Sequence, residues 1–455
     1  MTLNKLTAIS SVDGRYNDIS EVLSPYLSEY GLMKYRLLIE VEWFIYLSSK
    51  KEISELPTLS KEELSYLYSI HLNFGIKEAK KVKTIENKIN HDVKAIEYYL
   101  RQKFDALPNL RKRKEFIHFG CTSEDINNLA YSLLIKDACN EVIIPKLKEI
   151  KRNIKKKAHS YARIPMKSRT HGQSATPTTM GKELANFVYR IDLVINSIQS
   201  CKLKGKMNGA VGNFNAHLIA FPTLDWLNIS KVFVKSLKLD FSEYTTQVEP
   251  KDSLAEFLHC FVRMNNILLD FSQDCWLYIS LGYFTQKLKV GEVGSSTMPH
   301  KVNPIDFENA EGNLGLSNAL FNHIGNKVII SRFQRDLSDS TVLRNLGNAF
   351  ALSLIAYEAL IKGINKIDVD KNKIHDDLDN SWELLTEVIQ TVMRKYNIPN
   401  GYEIMKVFSR GKSLDEKDIQ SFINQLDIPK KDKTVLLDMT PLKYTGIAQN
   451  LAKKI

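Results

Sequence analysis

The chain has no C-x-x-C pair: its five cysteines, Cys121, Cys139, Cys201, Cys260 and Cys275, are odd in number and scattered through 455 residues. That spacing argues against a disulfide framework or a zinc site and suggests a reducing compartment. Any uncharged apolar run of membrane-spanning length is also missing. The first seven residues are polar where a signal peptide carries its apolar core, so the cytoplasm is the expected location. There is no H-E-x-x-H and no G-x-G-x-x-G. Arg410-Gly411-Lys412-Ser413 resembles the end of a phosphate loop, but Lys406 stands where the leading glycine is required. The expectation is a protein without metal or other cofactor.

What is present is ordinary globular material, with 44% hydrophobic and 25% charged residues. The length calls for two or three domains. The formal charge of +11 is spread along the chain, and its short runs, Arg111 to Lys114 and Lys155 to Lys157, carry no interleaved aromatics. They read as solvated helix faces rather than as a nucleic-acid patch. A positive balance also draws in a polyanionic small substrate.

The dominant pattern is long helical periodicity with few breakers. From about Asp252 to Phe284 only Gly282 interrupts it: Leu254, Phe257, Leu258, Phe261 and Val262 recur at three- and four-residue steps, and Ser253-Leu254-Ala255-Glu256 reads as a capping box. A helix near thirty residues is about 45 Å long, more than a compact domain needs. Similar runs cover Ser123 to about Ala162, with a bend at Pro145, Thr178 to Lys204, Asp306 to Ile330 and Thr341 to Ile367. Their apolar residues exceed one helix face, so packing between identical subunits is expected. No strand alternation stands out. The expected fold is all-α, with domains at 1–111, 112–364 and 365–455.

One stretch is unlike a packed helix: Gly294-Ser295-Ser296-Thr297-Met298-Pro299-His300-Lys301-Val302-Asn303-Pro304, with Glu308 on the following helical run. Glycines, hydroxyls and two prolines mark an irregular loop, and its N–H groups, Lys301 and the next helix N-terminus make an anion cradle. Elsewhere, Arg15, Arg335 and Arg344 suit bidentate grip on phosphate or carboxylate. Thr122-Ser123 fits an ordinary N-cap as well as a carboxylate site, and the residues alone do not choose. Histidine is the residue type that titrates nearest neutral pH, so His171 and His91 are the candidates for a general acid; Thr170-His171-Gly172-Gln173 reads as a polar entry to a helix.

The loop string matches every fixed position of G-S-S-x-M-P-x-K-x-N-P and thereby resembles the signature of the fumarase/aspartase superfamily. Four further strings resemble the branch of that superfamily acting on succinyl-purine nucleotides: Asn90 to Ala95, Thr122 to Asn127, Ser168 to Gln173 and Arg332 to Asn345. The likeness runs from Asp13-Gly14-Arg15-Tyr16 to the C-terminal segment. It implies an elimination of fumarate within homotetramers built on long helices, each site shared between subunits. It assigns His171 as general acid, Ser295 as general base with Ser296 the nearest rival, Glu308 as partner of the imidazole, and Lys301 and Asn303 as stabilisers of the aci-carboxylate. It places Arg15, Tyr16, Asn90, His91, Asp92, Thr122, Ser123, Gln247, Arg335, Ser340 and Arg344 around the substrate. Departures are mild: Ser174 replaces a usual proline, Gly120 a common alanine and Phe333 a common tryptophan. The competing expectations are a lyase for argininosuccinate or aspartate, and a non-catalytic or RNA-associated relative.

Overall fold

The computed structural model describes residues 4–287, 291 and 297–455. Ser295 and Ser296 lie outside the described residues. The chain is mostly helical, as expected. In order come α1 Glu29–Ser48, α2 Ile76–Ile89, α3 Asp92–Phe104, α4 Ser123–Ala138, α5 Ile144–Ser160, strands β1 Pro165–Thr170 and β2 Gln173–Thr179, α6 Met180–Ser200, α7 Trp226–Ser236, α8 Asp252–Ser280, α9 Ile305–Val328, α10 Ser338–Leu343 and α11 Leu346–Lys366. Shorter helices follow to Lys454. None of these helices is long and apolar enough to cross a membrane.

Several boundaries differ from the sequence reading for identifiable reasons. The run from Ser123 is interrupted by a π-helical turn, Cys139–Ile143. Pro145 has no N–H to give the Glu141 carbonyl, and a wider turn just before it, with Ile144 bonded to the Cys139 carbonyl, absorbs that loss. The run from Thr341 breaks into α10 and α11: Asn345 tightens the turn by bonding the Val342 carbonyl with its N–H and the Thr341 carbonyl with its side chain. Lys251, with φ +63°, is the residue preceding α8, and Ser253 Oγ accepts from the Lys204 N–H at 3.1 Å. The anticipated capping box at Ser253 is therefore not formed. Gly282, at φ +74°, ends the run early and turns it into the strand Phe284–Gln286, which pairs antiparallel with Ile367–Val369.

The chain divides into two compact units, each discontinuous in sequence. Unit 1 holds 1–147, 194–266 and 312–358; unit 2 holds 148–193, 267–311 and 359–455. In unit 1, α1 is almost wholly buried through Leu37, Ile39, Val41, Trp43, Phe44 and Leu47, and Trp43 Nε1 donates to the Phe119 carbonyl at 3.0 Å. Phe261, Phe321 and Phe350 meet edge-on or stacked at 4.9 to 5.7 Å between ring centres. One turn along, Asn265 is fully buried yet satisfied, taking the Tyr357 hydroxyl at 2.7 Å and giving to Ser353 at 3.0 Å. Unit 2 contains the β1–β2 hairpin and a C-terminal core of Leu385, Ile389, Met393, Met405, Ile419 and Ile423.

Candidate active site

In unit 1 the joint between α2 and α3 is made by two of the expected site residues. Asn90 takes the left-handed conformation (φ 52°, ψ 41°) that ends a helix, and His91 caps the next, its Nδ1 accepting the Lys94 N–H at 3.2 Å. Asp92 opens α3. Its Oδ2 accepts from Arg36 at 2.7 Å and from Arg344 at 3.1 Å, while its Oδ1 takes the Val93 N–H at 2.9 Å. Burial would raise the carboxyl pKa, but Arg36, the backbone bond and Arg344 outweigh it and hold the pKa down at about 2. Arg36 is buried and also grips Asn127 of α4 at 2.8 Å, whereas the Arg344 side chain is half exposed.

A second ionic knot sits at the start of α4. Glu124 accepts from Arg335 at 2.7 Å and from Lys251 at 3.0 Å; Lys251 also reaches Asp339 of α10 at 2.9 Å. Burial alone would lower the Lys251 pKa, yet the two carboxylates raise it, so the ammonium stays charged in the interior. Arg335 Nη2 also approaches Ser340 Oγ at 3.4 Å. Next to this knot, Asp125 is fully buried and receives the N–H groups of Thr122, Asn208 and Gly209 at 2.8 to 3.1 Å and the Lys206 ammonium at 3.0 Å. The Thr122–Ser123 turn is thereby fixed from below. Ser123 is half-buried, in the first turn of α4, where helix N–H groups receive anions.

The two knots share α10. Arg335 just before it reaches α4, and Arg344 just after it reaches α3. Short ion pairs thus bring the first turns of α3 and α4 together with two arginines, the arrangement needed to hold a substrate with several anionic groups. Arg15 lies over the Tyr16 ring at 5.8 Å. The adjoining Asp13 and Asn17 line, with Arg344, a cavity of about 220 Å³. Gln247 donates to the Ala210 carbonyl at 3.0 Å, and the preceding Thr246 to the Gln334 carbonyl at 2.9 Å, next to Arg335.

In unit 2 the sequence reading of His171 is corrected. Thr170 pairs with Gln173, so His171 (φ 54°) and Gly172 (φ 75°) are the two central residues of a tight β1–β2 hairpin turn, not a helix entry. Positive φ at both positions matches the right-handed strand twist, and glycine at the second suits it. The imidazole is exposed and has no hydrogen-bond partner among the described residues. Hairpin placement has support: Arg169 on β1 bonds Tyr283 at 2.9 Å and Asp377 at 3.0 Å, and Lys167 bonds Ser381 at 2.9 Å. Lys301 is exposed before α9, where Glu308 and Phe307 give their N–H groups to the Pro304 carbonyl. Glu308 Oε1 accepts from Trp276 Nε1 at 3.1 Å, and no hydrogen bond joins it to His171 within the chain.

Arg36, Glu124, Lys251 and Asp339 were not singled out from sequence. His118 was missed as well: at φ 61°, its Nδ1 lies 2.6 Å from buried Glu40, and although burial would lower its pKa, Glu40 raises it. Glu124, Asp125 and Asp339 fall inside the quoted strings, so their signal was present; Arg36 and Lys251 carried none.

A family model described as Lyase matches residues 14–316, and one described as Adenylosuccinate lyase C-terminal matches residues 331–445. The chain is 54% identical over 453 residues to an adenylosuccinate lyase of Legionella pneumophila (strain Corby), covering 100% of this chain and 99% of the relative. It is 49% identical over 455 residues to that of Escherichia coli (strain K12), covering 100% of both. Among solved structures, a fumarate lyase from Mesorhizobium sp. BNC1 shares the fold with a TM-score of 0.74 at 15% identity, over 95% of this chain and 97% of that one. A 3-carboxy-cis,cis-muconate lactonizing enzyme from Pseudomonas putida gives 0.73 at 18%, over 95% and 96%.

Proposed function

The chain belongs to the adenylosuccinate lyase family, and from that premise we propose that it removes fumarate from adenylosuccinate, leaving AMP, and from succinylaminoimidazole carboxamide ribotide, leaving the aminoimidazole carboxamide ribotide. The observation that carries the reading is the double ionic knot around α10, in which Arg335 bonds Glu124 at the start of α4 and Arg344 bonds Asp92 at the start of α3; we read these cations and helix starts as an anion-binding wall. A succinyl-purine nucleotide has two carboxylates and a phosphate, so it needs such a wall before any chemistry begins.

The reaction is a β-elimination. Ser295, as alkoxide, takes the C–H proton beside a carboxylate; the electron pair forms the C=C bond of fumarate as the C–N bond breaks, and His171 delivers a proton to the departing nitrogen. Lys301 and Asn303 stabilise the aci-carboxylate, and charge developing there makes their contribution largest in the transition state. Glu308, from a neighbouring subunit of a homotetramer, orients the His171 imidazole. Arg15, Tyr16, Asn90, His91, Asp92, Thr122, Ser123, Gln247 and Ser340 complete the substrate contacts. No cofactor takes part, the enzyme is cytoplasmic, and neither membrane nor nucleic acid is a partner. The three-segment organisation 1–111, 112–364 and 365–455 belongs to the same reading.

The test is direct: purified protein is given adenylosuccinate, argininosuccinate and aspartate in turn, and fumarate is followed by absorbance. Fumarate from adenylosuccinate alone is the expected result; release from either of the others in its place overturns the assignment.

A further inference from the structure

Away from that wall, unit 1 contains a cavity of about 460 Å³, within the span of about 300–1,000 Å³ usual for small-molecule sites. We propose that it is a second ligand site, for a phosphate monoester carrying a flat apolar body, the chemical class of a nucleoside monophosphate. Lys136 in the last turn of α4 and Ser123 in the first turn are thirteen residues apart, so the helix rise of 1.5 Å per residue separates the two places by about 20 Å. None of the proposed substrate or catalytic residues lines the cavity.

The cavity is built from chain segments that converge. The C-terminal turn of α4, the π-turn after it, the end of α6 with the following loop, and the end of α7 with the turn beyond it each contribute. A short parallel ladder fixes two of them: Lys204 and Gly205 pair with Asp240 and Phe241, with the Asp240 N–H on the Leu203 carbonyl at 3.0 Å. The floor is apolar, made of buried Ile144, Ile198, Leu203, Leu239 and Phe257. A flat body laid on that floor removes apolar surface from water, which is worth roughly 25 cal/mol per Å².

The walls are cationic. Lys136, Lys202, Lys235 and Lys238 face the same space with a single carboxylate, Asp240. No described carboxylate lies within ion-pair distance of any of the four; the Lys136 ammonium is satisfied in hydrogen bonding, by the Lys238 carbonyl at 2.8 Å, but not in charge. Lysine in the last turn of a helix has a simpler explanation, because a helix C-terminus carries about half a negative charge. Lys235 occupies such a turn, whereas at Lys136 the helix runs on through the π-turn into α5. The ends of α6 and α7 and Asp240 together still leave an excess of roughly two positive charges, using that half-charge for each end. This matches the charge of a phosphate monoester near neutral pH, about −1.5 to −2. Lys202, Lys235 and Lys238 are exposed and Lys136 is half-buried, and an anion held among the four relieves their mutual repulsion. Asn140 and Gln199 at the rim make no side-chain hydrogen bond with described residues and supply donors and acceptors for a ring edge or sugar.

The experiment is calorimetric titration of the whole protein with uridine 5′-monophosphate, uridine and inorganic phosphate. We expect saturable binding of the monophosphate that weakens with salt, weaker binding of phosphate alone and none of uridine. The Lys202→Gln/Lys235→Gln variant should bind the monophosphate at least about tenfold more weakly, a loss of about 1.4 kcal/mol, and turn over substrate as the parent does. Should that variant melt early, the single Lys202→Gln variant decides: the monophosphate should raise its melting temperature less than it raises the parent's. Absence of saturable binding in the parent overturns the proposal, and so does undiminished binding in the lysine variants, which would place the nucleotide on the arginine wall instead.

Discussion

An imidazole at φ 54° on a two-residue hairpin turn means that replacing His171 changes chemistry and backbone together. Alanine tolerates the left-handed region poorly, whereas asparagine visits it readily. His171→Asn therefore isolates the imidazole. Turnover in this variant should fall by about 10²- to 10⁴-fold, with little change in KM and an unchanged melting temperature; near-normal turnover would remove the acid from the mechanism. Asp92 supports a pH prediction. Its folded pKa, about 2, lies below its ordinary 3.8, so the stability it confers is fully present above the unfolded value and is lost as pH falls through the folded one. The shift corresponds to on the order of 2 kcal/mol. Denaturant unfolding should show Asp92→Asn clearly weaker than the parent at pH 7, with the gap narrowing between about pH 4 and pH 2. A gap independent of pH would mean that the Arg36 and Arg344 pairs contribute nothing through charge. His171, Asp92, Arg335 and Arg344 were legible because motif strings contain them. Arg36 and Lys251 were not, since a buried cation is defined by which carboxylates the fold brings to it, from 56 and 127 residues away in the cases of Asp92 and Glu124.

Elements were legible where periodicity was long. The rods α4 to α6, α8, α9 and α11 all lie where apolar spacing put them, because burying one stripe over many turns leaves a repeated mark in the sequence. What escaped were features set by single residues or by pairing at a distance. The β1–β2 hairpin shows no clean alternation because Lys167 is buried beside Ser381 and a register shift lies between Met166 and Ser168. The α10–α11 break hangs on one asparagine. Close approach of helices is a further hidden constraint: a Cβ on Gly181, in the first turn of α6, would stand 2.4 Å from the Ala158 carbonyl oxygen and 2.5 Å from the Ala162 backbone. Backbone cannot move aside as a flexible side chain does. Gly181→Ala should cost about 1–3 kcal/mol in denaturant unfolding, despite alanine's better helix propensity. A variant as stable as the parent would show that the end of α5 is not held against α6.

For the whole molecule the question is what covers its apolar helix faces. Tyr189 and Leu193, one helical turn apart on α6, are 57% and 49% exposed; Trp276 and Leu277 on α8 are 41% and 51% exposed. Such neighbours on long helices fit a partner subunit better than they fit water. The proposed mechanism points the same way, for Glu308 is bonded to Trp276 and makes no hydrogen bond to His171 within one chain. If each site draws His171 and the Ser295 loop from different subunits, a mixture of His171→Asn and Ser295→Ala proteins, dissociated and reassembled one to one, contains sites with both groups intact. Random assortment makes these about a quarter of the total, so activity should rise from near zero to about a quarter of the parent's. If both groups come from one chain, no assortment can unite them and the mixture stays as inactive as its parts. The mixed oligomers are verified by differently tagged subunits that co-purify, and activity of those species alone is scored. Failure to recover activity in them would confine His171 and Ser295 to a single subunit and leave the exposed α6 and α8 faces with a purely structural role.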